Sequence, residues 1–122
     1  MKPKTVVLVV EDETLVRLDI VSRLEDEGFI VLEAANADLA ITILENHAEI
    51  SILFTDIDMP GSMDGLKLSA AVRDRWPPVK IVVTSGHRRV EITDMPDGSV
   101  FHAKPYSHAD VIASFRELTA LD

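Results

Sequence analysis

Five short apolar runs constrain this chain more than any other feature: "TVVLVV" (5–10), "FIVLEA" (29–34), "SILFT" (51–55), "KIVVT" (80–84) and "SVFHA" (99–103). They are rich in Val and Ile and do not alternate with polar residues, the pattern of strands buried on both faces in a parallel sheet. The stretches between them have helical spacing. Leu15, Leu18, Val21 and Leu24 run up to Gly28, an expected C-cap, and Leu39, Ala40, Ile43 and Leu44 follow Asn36, an expected N-cap. Leu66, Ala70 and Val72 precede Trp76, where Pro77 and Pro78 stop the helix. Val111, Ile112, Phe115 and Leu118 form the last helix, opened by Ser107 with Asp110 three residues on in a capping-box pattern. All four stripes are expected to be core. The segment "HRRVEITDMPDG" (87–98) is poor in helix formers and cut by Pro96, so a short or frayed fourth helix is expected there.

Strict strand and helix alternation implies a doubly wound, open parallel sheet with right-handed crossovers and helices on both faces. At 122 residues this is one domain, 1–122, long enough to bury a core without disulfides or structural metal. Cysteine is absent, which excludes thiolate catalysis and Cys-based zinc sites. Glu11, Asp12 and Glu13 interrupt the first apolar run where a signal peptide would continue, and no run is long enough to span a bilayer, so a cytoplasmic location away from membranes is expected. Net charge is −9 with only 12 Lys plus Arg, which argues against direct nucleic-acid contact and favours cations and basic partner surfaces.

In an open α/β sheet the ligand site lies beyond the carboxyl ends of the strands. That rule gathers Glu11, Asp12 and Glu13 after the first strand, Asp56 and Asp58 after the third, Thr84 and Ser85 after the fourth, and Lys104 with Pro105 after the fifth. Carboxylates crowded at one rim repel each other unless a cation sits among them, and an all-oxygen set suits Mg²⁺. A carboxylate can attack phosphorus to form an acyl phosphate, with metal and lysine neutralising the equatorial oxygens and a hydroxyl donating to them. The set is complete for phosphoryl transfer to Asp56. It lacks a glycine-rich phosphate loop, so ATP is not the expected donor.

The acidic pair Glu11-Asp12, "DIDMP" at the third strand, "MDG" (63–65), "TS" (84–85) and "KPY" (104–106), in this order over the whole chain, resemble the receiver domain of two-component response regulators. The resemblance implies a flavodoxin-like five-stranded sheet of order 2-1-3-4-5 with five flanking helices. It also implies a phosphorylation switch, in which Asp56 accepts a phosphoryl group from a phosphohistidine of a sensor kinase or histidine phosphotransfer protein docked beside the first helix. Asp12 and Asp56 would ligate Mg²⁺ directly with the backbone carbonyl of Asp58, while Glu11 would act mainly through water. Lys104 would pair with the phosphoryl group or, before transfer, with Asp56. Thr84 would follow the phosphoryl oxygen inward and Phe101 would rotate, a movement resting on packing alone because Phe has no hydroxyl. Pro105 would follow a cis peptide bond that aims Lys104. Output would pass to a downstream protein partner or a phosphorylation-dependent homodimer, and the chain could equally be cut from a larger regulator or hybrid kinase.

Three departures from the receiver pattern stand out. One extra residue separates Pro60 from Met63-Asp64-Gly65, Glu11 replaces the more usual Asp, and the fourth helix is weak. Two rivals compete with the switch. "DIDMP" also resembles haloacid-dehalogenase phosphatases, with Asp56 as nucleophile and Asp58 as general acid, although that motif normally follows the first strand. The other is a receiver-like interaction module that never takes phosphate. A flavin-binding module of the same topology is disfavoured, since Glu11, Asp12 and Glu13 would repel the cofactor's phosphate.

Overall fold

β-branched residues are stiff at χ1 and pack well on a pleated surface, and each of the five apolar runs is a strand. The computed structural model describes residues 4–59, 61, 63–86 and 95–120. In chain order the elements are β1 (Val6–Val10), α1 (Thr14–Asp26), β2 (Ile30–Ala34), α2 (Ala37–Asn46), β3 (Ile50–Asp56), α3 (Gly65–Arg75), β4 (Lys80–Ser85), β5 (Val100–Ala103) and α4 (His108–Ala120). All neighbouring strands pair in parallel, in the order β2-β1-β3-β4-β5. This is the expected flavodoxin-like sheet.

The central strands β1, β3 and β4 are buried on both faces, which is why their runs do not alternate; β2 and β5, at the two edges of the sheet, are partly exposed, so the expected burial of all five runs is corrected for these two. Along β1, Val6, Leu8 and Val10 point to a layer closed by Leu44 of α2 with Leu68 and Val72 of α3. Val7 and Val9 point to the opposite layer, closed by Ile20 and Leu24 of α1 with Val111 and Phe115 of α4. Edge-to-face aromatic contacts knit that second layer, with Phe115 at 5.6 Å from Phe54 and 5.8 Å from Phe29 between ring centres.

The helix ends follow their local chemistry. Asn36 Oδ1 accepts from Leu39 N–H at 2.9 Å. Asp64 Oδ1 accepts from Lys67 N–H at 2.9 Å. Ser107 Oγ accepts from Asp110 N–H at 3.3 Å. The C-cap of α1 is Glu27, one residue before the expected position, and Gly28 follows it at φ 96°, a left-handed conformation that glycine adopts without a Cβ penalty.

The α1 stripe is corrected. Val21 and Leu24 are buried, but Leu15 is 82% exposed and Leu18 49% exposed, and Ile20 takes the inward place. Four residues at strict three-residue spacing drift about 60° per step around a helix of 3.6 residues per turn, so Leu18 and Leu15 lie about 120° and 180° away from Leu24. Leu39 and Ala70 are exposed as well, and the inward face of α3 is Leu68, Ser69 and Val72 instead. The segment expected to hold a short or frayed fourth helix lies mostly outside the described residues, as do Pro60 and Ser62 of the loop with the extra residue. Among the described residues there are four helices, and α4 is the one expected fifth.

Candidate functional site

The carboxyl ends of β1, β3, β4 and β5 converge on one rim. β1 delivers Glu11, whose N–H donates to Ala34 O at 3.1 Å, holding the chain beside β2 for one residue beyond the strand. Asp56 is the last residue of β3, and the following Ile57 N–H donates to Thr84 O at 2.9 Å. Gly65 opens α3 directly against this turn: its N–H donates to Ile57 O at 3.0 Å, and a Cβ at Gly65 would overlap the carbonyl oxygen of Asp56.

One ligand oxygen each from Glu11, Asp12 and Asp56 lies within 4.8 Å of the others. Glu11 and Asp56 are buried, and Asp12 is the more exposed of the three. Lys104 reaches in from beyond β5, with its N–H donating to Ser85 O at 3.0 Å and its stem lying along Gly86. The peptide bond between Lys104 and Pro105 is cis. Lys104 Nζ donates to Asp56 Oδ2 at 3.0 Å, the expected pairing, and also to Glu11 Oε1 at 2.9 Å, which the sequence did not suggest.

One ammonium therefore serves two buried anions. Burial pushes the Glu11 carboxyl above its ordinary range, while the bonds from Lys104 and from Glu13 N–H pull the other way. Burial alone would pull Lys104 down, but its hydrogen bonds to Glu11 and Asp56 and their negative charges hold it above the usual ammonium range. The oxygens are hard ligands with no nitrogen or sulfur among them, a donor set that fits Mg²⁺ or another hard divalent cation.

The remaining expected residues spread around this centre. Asp58 N–H donates to Asp56 Oδ1 at 3.1 Å, and the Asp58 carboxylate accepts from Ser85 Oγ at 2.6 Å. Thr84 is the register partner of Asp56, and its Oγ1 is buried with no hydrogen-bond partner among the described residues. Phe101 pairs with Val83 across the β4 and β5 ladder and is 37% exposed at the sheet's margin, not enclosed in core.

Two residues make contacts that the sequence reading did not anticipate. Ser85 holds the Asp58 carboxylate, and Arg17 of α1 donates from Nη1 to Glu11 O at 2.7 Å and from Nε to Glu33 Oε1 at 2.9 Å. Ser85 was visible only as part of the hydroxyl pair Thr84-Ser85 that ends β4; Arg17 was one polar residue on a helix.

Beside the acids a cleft of about 400 Å³ opens between α1 and the turn after β5, lined by residues including Val16, Asp19, Pro105, Tyr106 and His108. Tyr106 packs edge-on against Phe54, and burial, with the nearby charge of Glu11, pushes its hydroxyl up to about 12. His108 Nε2 lies 3.3 Å from Asp19 Oδ2 across the cleft. No helix among the described residues is long and apolar enough to cross a membrane.

Residues 7–113 match the response regulator receiver domain family. An NtrX-like response regulator of Rickettsia felis is 37% identical over 86 residues, 70% of this chain and 18% of that protein. The transcriptional regulatory protein PdtaR of Mycobacterium tuberculosis is 31% identical over 126 residues, 95% of this chain and 60% of that protein. This chain thus spans less than two thirds of the length of these relatives. The crystal structure of a response regulator receiver protein from Sinorhizobium medicae superposes with a TM-score of 0.87 at 30% identity, covering 94% of each chain. A parallel sheet of order 2-1-3-4-5 whose rim joins two buried acids through one lysine, matched along nearly its whole length, identifies the chain as a member of the response regulator receiver domains of two-component signalling.

Proposed function

We propose that Asp56 is a phosphoacceptor whose modification, with Mg²⁺ bound by the neighbouring acids, alters the affinity of this chain for a protein partner. The observation that carries the reading is the convergence of Glu11, Asp12 and Asp56 within 4.8 Å, with Lys104 Nζ bonded to Glu11 and Asp56. Mg²⁺, once bound, would neutralise the crowded carboxylates and the phosphoryl oxygens. Asp12, Asp56 and the backbone carbonyl of Asp58 are the direct ligands in this reading, with Glu11 acting through water.

In the transfer step an Asp56 carboxylate oxygen attacks phosphorus in line with the bond to a phosphohistidine imidazole. The P–N bond breaks, its electron pair stays on the imidazole nitrogen, and that nitrogen takes up a proton. Lys104 releases Asp56 Oδ2 to follow a phosphoryl oxygen, and the unpartnered Thr84 hydroxyl supplies a further donor. The donor is a sensor histidine kinase or histidine phosphotransfer protein seated on α1 at the exposed Leu15 and Leu18. Movement of Thr84 and Phe101 then biases an equilibrium between two pre-existing states, which a downstream partner reads.

The test is incubation with acetyl phosphate and Mg²⁺ followed by intact mass, with Asp56→Asn beside it. One acid-labile phosphoryl group per native chain and none on the variant is the expected result. Repeated release of phosphate from an added ester would instead indicate the phosphatase chemistry of Asp56 and Asp58. Identical behaviour of the two proteins would leave only a passive interaction module.

A further inference from the structure

We infer that Arg17 is a positioning residue for the acidic centre, aiming Glu11 and Asp12 by holding the peptide plane between them; the inference rests on the metal-binding reading above. The Arg17 side chain is only 15% exposed, and its guanidinium uses two arms at once. Nε bonds Glu33 Oε1 at 2.9 Å on β2, and Nη1 bonds Glu11 O at 2.7 Å.

That carbonyl belongs to the peptide joining Glu11 to Asp12. Because a peptide unit is planar, fixing the direction of its C=O fixes the torsions on either side, ψ of Glu11 and φ of Asp12. Those torsions set the relative directions of the two Cα–Cβ bonds from which the carboxylates are carried. The same short turn is held elsewhere by Glu11 N–H on Ala34 O and by Glu13 N–H on Glu11 Oε2 at 3.1 Å. Among the described residues Arg17 is the side chain that ties it to β2, since Glu33 sits in the strand beside β1 in register with Val9. The fork places its two donors on separate nitrogens of one rigid plane, Nε toward Glu33 and Nη1 toward the carbonyl, a geometry that the single nitrogen of a lysine does not reproduce.

Charge and geometry make opposite predictions for metal affinity, so the role can be decided by sign. A guanidinium near the carboxylates repels a divalent cation, and removing it as a mere bystander would tighten binding. If it aims the ligands, removing it weakens binding by about tenfold, the low end for an outer-shell contact.

The experiment is calorimetric titration of the metal-free chain with MgCl₂, for native protein, Arg17→Met, Arg17→Lys and Glu33→Gln, each followed by thermal unfolding. The expected result is weaker Mg²⁺ binding in all three variants, with Arg17→Lys weakened even though its charge is kept. Tighter binding in Arg17→Met, or Arg17→Lys equal to native, overturns the inference in favour of simple electrostatics. Unchanged affinity with a lowered melting temperature overturns it in favour of a purely structural clamp. If Arg17→Met does not fold, Arg17→Lys decides by the same criteria, because it alone keeps the charge while losing the fork. Absence of saturable Mg²⁺ binding by the native chain removes the metal-binding reading and this inference with it, whereas native binding with unaffected variants removes the inference alone.

Discussion

Replacing Lys104 with methionine tests whether the acidic rim is crowded enough to need a cation. Lys104 Nζ sits 2.9 Å from Glu11 Oε1 and 3.0 Å from Asp56 Oδ2, and both carboxylates are buried. At an effective dielectric near 20 each contact is worth about 5 kcal/mol of gross attraction. Most of that offsets the desolvation of three charged groups, so the loss expected on removing the cation is about 3 kcal/mol, at the low end for breaking a buried pair because the lysine is partly exposed. Two conditions should shrink the loss. Burial already raises the Glu11 carboxyl, and a raised acid is easier to protonate, so the penalty should fall as pH drops from about 7.5 to about 5. On the proposed metal reading Mg²⁺ stabilises both folded proteins, but losing the ammonium's repulsion should tighten its binding to the variant, and each tenfold gain in affinity over native recovers about 1.4 kcal/mol of the difference at saturating metal. Urea unfolding in chelator and in Mg²⁺, at both pH values, measures all of this. A loss below about 1 kcal/mol that responds to neither pH nor Mg²⁺ would refute the reasoning, because it would mean the acids relax into solvent without resistance.

Further predictions follow from other contacts. Gly65→Ala drives a methyl group into the Asp56 carbonyl, so it should cost about 2 kcal/mol in urea unfolding or displace the start of α3; an unchanged midpoint would contradict the close approach. Leu15→Ala with Leu18→Ala should leave stability within about 0.5 kcal/mol and labelling by acetyl phosphate intact, while slowing transfer from a phosphohistidine protein; equal slowing of both reactions would place these residues in the chemistry and not in docking. His102 is held below its ordinary 6.5 by burial, against the pull of Asp110. Near that pH the unfolded chain therefore binds more protons than the folded one, and the imidazole's contribution is present above 6.5 and lost as pH falls. His102→Gln should flatten that part of the stability profile, and superimposable profiles would refute the assignment.

The sheet was legible because Val and Ile runs without alternation have few other uses, and the rim was legible because parallel strands all end at one side. Asp56, Asp12, Glu11 and Lys104 could thus be brought together from positions scattered over most of the chain. What periodicity could not supply was which face of α1 is covered: apolar spacing places Leu15, Leu18, Val21 and Leu24 on one helix, but their three-residue steps wind around it, and only the packing of Ile20 and Leu24 against the sheet shows where burial stops. Contacts to backbone left still less trace. A guanidinium on a carbonyl, as at Arg17 and Glu11, has no residue pattern, and the double reach of Lys104 depends on a distance that only the folded turn after β5 defines.

Register places Asp56, Thr84 and His102 side by side, one from each of three adjacent strands. Adjacent strands are spaced about 4.8 Å apart, so two strand spacings, about 10 Å, separate Asp56 from His102 on the sheet's outer edge strand. At its far end the His102 imidazole meets Ser114 Oγ of α4 at 3.0 Å. A nitrogen-labelled His102 ring would be the natural listening post for the phosphorylation proposed at Asp56, placed where the edge strand hands over to the last helix.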